Sequence, residues 1–377
     1  MDKSPPPKKT TMKKGKMTPK KGSKESMRKK EKTSTTPNKC GSKESLRKGG
    51  SREALRKGGS KETVRKGSRE IVKKASKETL TVDKGWVYDE GAKSFVKNNT
   101  FDLSAIRTEF SSDSTIRPSP QDCLAFYQHL KKNRQPQALL SETTRIKIHN
   151  PSGAYFNAAK ISNLAEPNRT ILIGQVPDQQ DLEMFWRMIY DEGITSLFIS
   201  TSSKIVLNGY IPVALGAFAQ IGKMLLSNKK VDILGKEILC MTIELLPDGC
   251  SNSNLVQVYH IQNWAQFKIP NNLTDLIAIC EKMLMKPSDG IMFCSWFGLG
   301  RSGILLMIYC IMSHISKNIE CKVPDLFSKL RGQRFGIVEN VDQYVAIYQS
   351  ICCWIRANSK DSDILKAIEA IPQPPSS

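Results

Sequence analysis

From about residue 101 the apolar positions fall into segments of two different periods. In SPQDCLAFYQHLKKN (119–133) they return every three or four residues, which predicts a helix with Ser119 as its N-cap and Pro120 in the first helical position. TRIKIHN (144–150) and RTILIGQV (169–176) are rich in β-branched residues and predict strands, and ITSLFIST (194–201) reads as a buried strand. QDLEMFWRMIYDEG (180–193) is an amphipathic helix between them. GIMFCSWFGLGRSGILLMIYCIMSH (290–314) predicts an apolar strand, a glycine-bearing loop, and a long apolar helix opened by Arg301, Ser302 and Gly303. Strands and helices mixed in this way imply an α/β fold class, a mixed twisted sheet of α+β type flanked by helices. A strand, a tight loop and a helix N-terminus together can hold a phosphate with backbone amides and the helix dipole.

The first 80 residues follow neither period. They repeat a short unit: GSKESLRKGG from Gly41, SREALRKGG from Ser51, SKETVRKG from Ser60, SREIVKKA from Ser68 and SKETL from Ser76. A nine-residue step carries the apolar position (Leu46, Leu55, Val64) about half-way round a helix each time, so no apolar stripe forms and a membrane-lying helix is not expected. The same stretch holds 27 Lys and Arg against 8 Asp and Glu, or +19 of the chain's +21. It has no aromatic residue. Too little apolar area is present there to offset the entropy of ordering, so 1–80 is expected to be a disordered basic tail. The expected organisation continues with a linker over 81–100, a folded domain over 101–357 and a flexible C-terminal tail over 358–377.

Repeated basic units bind anionic surfaces through avidity, with strong salt dependence. Cytoskeletal polymer, acidic lipid and nucleic acid all fit as partners of 1–80, although aromatic stacking platforms for nucleic acid are missing. Ser or Thr beside Arg and Lys makes the units candidate targets of basophilic kinases, whose phosphorylation would subtract charge. A solvated spacer is the alternative. No run approaches a membrane span, and the basic start MDKSPPPKKTTMKKGK has no apolar stretch after it, so neither a transmembrane segment nor a secretory signal is expected. The expected location is the cytoplasm, with cytoskeletal, inner-membrane and nuclear association left open. Ten cysteines without a C-x-x-C pair and only four histidines argue for buried thiols, with no disulfides, metal or cofactor.

The glycine loop and several further segments resemble, in order over residues 101–357, the protein tyrosine phosphatase family. The family's K-N-R-Y corresponds to Lys132-Asn133-Arg134-Gln135, its Y-I-N-A to Tyr155-Phe156-Asn157-Ala158, and its Q-G-P to Gln175-Val176-Pro177. Its mobile W-P-D loop corresponds to Trp264-Ala265-Gln266, closing at Pro270, and its R-x-Q-R to Arg331-Gly332-Gln333-Arg334. Its Q-T-x-x-Q-Y corresponds to Glu339-Asn340-Val341-Asp342-Gln343-Tyr344. The resemblance implies the family's sheet fold, phosphotyrosine hydrolysis as the family reaction, no cofactor, and phosphorylated signalling proteins as partners. The degenerate pattern is similar to the divergent phosphatase-like proteins of nematodes.

Where the family's phosphate loop reads H-C-x-x-G-x-G-R-S-G, this chain has Cys294, Ser295, Trp296, Phe297, Gly298, Leu299, Gly300 and Arg301. The resemblance therefore puts Ser295 in place of the nucleophile and Gln266 in place of the general acid. It likewise puts Glu339 in place of the water-positioning Gln, and Gln135 in place of the stacking Tyr. An unassisted hydroxyl has no accessible anion comparable to a thiolate, and an amide donates no proton as an acid does. A shifted register would make Cys294 the nucleophile, with one residue too many before Arg301. Trp296 and Phe297 are expected to narrow the pocket that Gln135, Trp264 and Gln343 line. Arg301 admits two readings, an anion-binding fork or a brace for the loop. The resulting expectation is a catalytically impaired phosphatase-like protein, a pseudophosphatase that binds or scaffolds. The alternatives are residual activity through Cys294 or Ser295, and a tail binder carrying a passenger domain.

Overall fold

A computed structural model describes residues 86–372 except 114–116, 150–152, 163, 203–206, 208, 236–237 and 271. The basic repeats and the last five residues lie outside the described residues.

One eight-stranded sheet organises the chain: β1 (Ala158–Ile161), β2 (Ile171–Gln175), β3 (Ile194–Ser200), β4 (Phe218–Ile221), β5 (Met224–Leu234), β6 (Ile238–Pro247), β7 (Asn254–Ile261) and β8 (Gly290–Ser295). Their spatial order is β1-β2-β8-β3-β7-β6-β5-β4. The four central strands β2, β8, β3 and β7 are mutually parallel, and antiparallel pairs flank them. The mixed sheet of the sequence reading is therefore the observed one. Register aligns the last residues of the parallel strands: Gln175 with Ser295, Ser295 with Ser200, Ser200 with Ile261. The loops that follow these residues gather at the carboxyl edge of the sheet, where open α/β sheets hold ligands.

β8 is buried along its whole length because both faces are covered. Its alternation divides its side chains between two cores. Ile291 and Phe293 pack in the larger core, while Met292 and Cys294 pack in the core that holds Phe185, Trp186 and Ile189 of α4. Helices in chain order are α1 (Asp89–Asn98), α2 (Leu103–Asp113), α3 (Leu124–Gln128), α4 (Leu182–Asp191), α5 (Leu273–Leu284), α6 (Arg301–Ser316), α7 (Val323–Gln333), α8 (Val341–Asn358) and α9 (Ser362–Ala367). α6 is apolar on every side and is buried from Arg301 to Ser313, as expected of a helix at the centre of a layer.

The structure departs from the sequence reading at four places. Residues 86–100, expected as a linker, carry α1, which places Ala92 and Phe95 in the larger core and also buries Gly91. Residues 358–372, expected as a flexible tail, carry α9 and bury Ile364, Ile368 and Ile371. The helix expected over 119–133 is broken into a 3-10 turn at Pro120–Cys123, α3 and a second 3-10 turn at Leu130–Lys132. Its predicted cap is present: Ser119 and Asp122 form a reciprocal capping box, with Pro120 inside the first turn. TRIKIHN forms no strand among its described residues; a bridge from Arg145 to Ala159 joins it to β1 while Ile146 and Ile148 are buried.

Candidate functional site

The loop Trp296–Gly300 joins β8 to α6, so its ends are fixed by a buried strand and a buried helix. Gly298 and Gly300 have φ of 67° and 54°, left-handed backbone that a side chain would strain. A Cβ on Gly298 would overlap the backbone at Gly174 and Gln175, so glycine is also required for close approach to β2.

Ser295, the last residue of β8, is buried. Its hydroxyl donates to the Leu299 carbonyl at 2.8 Å and lies 2.9 Å from the Ser302 hydroxyl. Cys294 points the other way. It faces an apolar crevice lined by Leu182, Phe185, Trp186, Ile199 and Leu207, and its Sγ approaches the Gln175 carbonyl at 3.9 Å. Burial pushes this thiol far above its ordinary value, with Arg334 acting against the shift. Two loop amides are engaged within the protein, since Gly298 N donates to Ser295 O and Gly300 N to Ile337 O.

Arg301, the first residue of α6, is buried and reaches across to the segment after β7. Its Nη1 donates to the Trp264 carbonyl at 2.7 Å and its Nη2 to Gln266 Oε1. Burial lowers its value to about 10, with Glu339 acting against the shift, so it stays charged at neutral pH. Trp264 is itself buried and donates from its ring to Lys268 O at 2.9 Å, which folds the 264–268 turn onto itself. Phe267, at φ 61°, gives its carbonyl to Asn340 Nδ2 at 2.9 Å, and its ring meets Phe297 at 6.3 Å. The loop carrying Gln266 is thus tied to the glycine loop and to the start of α8.

On the opposite side Trp296 lies under the Arg134 guanidinium, 3.9 Å from ring centroid to carbon. Arg134 also donates to Val176 O and Pro177 O and pairs with Asp178 at 2.5 Å. This pins the half-buried Gln135 beside the end of β2. Below the loop, Glu339 N donates to Gln343 Oε1 at 2.9 Å, and Gln343 is buried. Burial raises the Glu339 carboxyl, while Gln343 and Arg301 hold the shift back.

The structure therefore brings Ser295, Arg301, Gln266, Trp264, Glu339 and Gln343 to one loop cluster, with Trp296 and Gln135 at its flank, and leaves Cys294 outside it. Three contributors appear in the sequence motifs without a role assigned to them. Arg334 is buried, and it donates to Gly298 O and Phe297 O and to Asn157 Oδ1, bracing the glycine loop from beneath. Asn340 caps α8 through Gln343 N and holds Phe267, and Ser302 completes the hydroxyl pair with Ser295. The late R-x-Q-R carried a signal for Arg334 and the R-S-G after the glycine loop one for Ser302, but neither motif states what the side chain bonds. Among the described residues no group of three or more His, Cys, Asp or Glu could hold a metal ion, and no helix is long and apolar enough to cross a membrane.

A family model described as protein-tyrosine phosphatase matches residues 129–353. A putative tyrosine-protein phosphatase of Caenorhabditis elegans is 34% identical over 293 residues, which cover 76% of this chain and 73% of that protein. Human tyrosine-protein phosphatase non-receptor type 13 is 28% identical over 238 residues, 59% of this chain but only 9% of that protein. Among solved structures, the catalytic domain of human protein tyrosine phosphatase non-receptor type 18 aligns with a TM-score of 0.60 at 18% identity, covering 69% of this chain and 98% of that one. The Trypanosoma cruzi tyrosine phosphatase aligns with a TM-score of 0.59 at 20% identity, covering 70% and 99%.

Proposed function

The chain belongs to the protein tyrosine phosphatase family, and we propose that it is a catalytically impaired member, a pseudophosphatase that acts as a regulatory or scaffolding binder. The observation that carries this reading is the engagement of the two groups hydrolysis would need. The Ser295 hydroxyl donates to Leu299 O, and Arg301 is bonded to Trp264 O and Gln266 Oε1. A serine whose proton is held by a carbonyl, with no base beside it among the described residues, is a poor nucleophile. Gln266 sits against Arg301 as an acceptor, where the family's acid would protonate the leaving group, and that loss alone removes about two to four decades of rate. Cys294, the shifted-register nucleophile, faces the α4 crevice with a raised thiol value. That supports impairment over residual turnover.

The partner would be a phosphorylated or other signalling protein. The 1–80 tail would tether the molecule to an anionic surface such as cytoskeleton, acidic lipid or nucleic acid, under the control of basophilic kinases. A cytoplasmic place follows from that reading. The test is hydrolysis of a small aryl phosphate with and without vanadate by the purified chain, Cys294→Ala and Ser295→Ala. We expect no rate above background in any of the three. Vanadate-sensitive turnover lost in either variant would overturn the reading.

A further inference from the structure

Three polar atoms around Gly300 are left without partners among the described residues although each is inaccessible to solvent: Arg301 Nε, Glu339 Oε2 and Gln343 Nε2. The last two belong to one place. A Cβ built on Gly300 would run into Glu339 Oε2 and stand 3.2 Å from Gln343 Nε2. Arg301 and Glu339 also influence each other's ionisation, each favouring the other's charged form. The Glu339 carboxyl and the Gln343 amide thus meet against Gly300, next to Arg301, at the N-terminus of a sixteen-residue helix. Such a position ordinarily attracts an anion from solution. Here a carboxyl group of the chain itself stands at that position.

We propose that the Glu339 carboxylate is the resident anion of this loop, seated against Gly300 and beside Arg301 so that the site is closed to phosphate and related oxyanions until that charge is removed. This rests on the non-catalytic reading above and deepens it, because it identifies which residue denies the loop its ligand. A dianion entering the loop would meet a like charge within contact range in a water-poor setting, where charges interact strongly. The remaining donors are still present: Arg301 Nε is buried without a partner among the described residues, and the buried Gln343 amide stands beside the Glu339 carboxyl. Replacing Glu339 by Gln keeps the size and the hydrogen-bonding reach while removing the repulsion.

The experiment is calorimetric titration of the full chain with inorganic phosphate and with tungstate, using wild type, Glu339→Gln, Glu339→Ala and Glu339→Gln combined with Arg301→Met. The combined variant reports the heat that the basic repeats contribute, and melting curves verify folding of each protein. Expected is no Arg301-dependent binding by wild type and binding at least ~100-fold tighter by Glu339→Gln, the scale of removing a like charge at contact distance. Equal, Arg301-dependent binding by wild type would overturn the proposal. So would absence of any gain in both Glu339 variants, which would assign closure to the loop backbone. Aryl phosphate hydrolysis by the same samples keeps the two claims apart. Turnover by wild type sinks the non-catalytic reading, whereas a missing gain in binding sinks only the role of Glu339.

Discussion

Arg301 has a bonding role that needs no ligand. Its guanidinium bridges α6 to the segment after β7, bonding Trp264 O and Gln266 Oε1 from a buried position. Truncation leaves a buried carbonyl and the nearby Glu339 carboxylate uncompensated, so Arg301→Met should destabilise the domain by about 3 kcal/mol, read as a lower denaturant midpoint with an unchanged slope. An unchanged midpoint would contradict the bracing role. Ser295→Cys presents the complementary case. A thiol there would have Leu299 O and Ser302 as neighbours, and the acid position would still be Gln266. We predict that Ser295→Cys alone gives no aryl phosphate hydrolysis above background, because groups that act as a unit do not restore rate singly.

At the level of elements, the strand, loop and helix over 290–316 were legible from sequence because an apolar run, two glycines and an apolar helix leave few arrangements. α1 was not, since DEGAKSFVKN offers only Ala92, Phe95 and Val96 as apolar positions and its burial depends on the distant α6. A Cβ on Gly91 would overlap Ile315 O, so that helix crosses α6 at backbone distance. Phe95→Ala should therefore cost about 3–5 kcal/mol, the scale of a large-to-small change in a core, while a true linker would tolerate it. Ile364 in α9 and Ile368 and Ile371 just after it are spaced four and three residues apart, and that spacing could have been read as a packed face. The direction of Cys294 depends on the phase of β8, and the partners of Arg301 lie more than thirty residues away in sequence. Neither is accessible to a local pattern. β7 carries a separate prediction. His260 is buried, bonds Thr201 Oγ1 at 2.8 Å, and is lowered from 6.5 to about 4 by burial. Folding favours its neutral ring, so its contribution is fully present above pH 6.5 and is lost as pH falls towards 4. Glu109 and Glu339, which burial raises, act in the opposite sense. The test is thus the difference between proteins: His260→Gln should lose less melting temperature between pH 6.5 and 4 than wild type, and parallel profiles would contradict it.

For the whole molecule the charge is unevenly divided along the chain. The tail carries +19, and the remaining 297 residues carry 30 basic against 28 acidic side chains, or +2. Affinity for anionic polymers or vesicles should therefore reside in residues 1–80, fall steeply with salt and show little selectivity among surfaces. Equal binding by a form lacking 1–80, compared across a salt series, would contradict this. The central claim, that no group of the loop attacks phosphorus, is tested most directly by mass spectrometry of the chain quenched after mixing with excess phosphotyrosyl peptide. Unmodified peptides spanning residues 290–301 are the predicted result, and phosphate attached to Ser295 or Cys294 would contradict it.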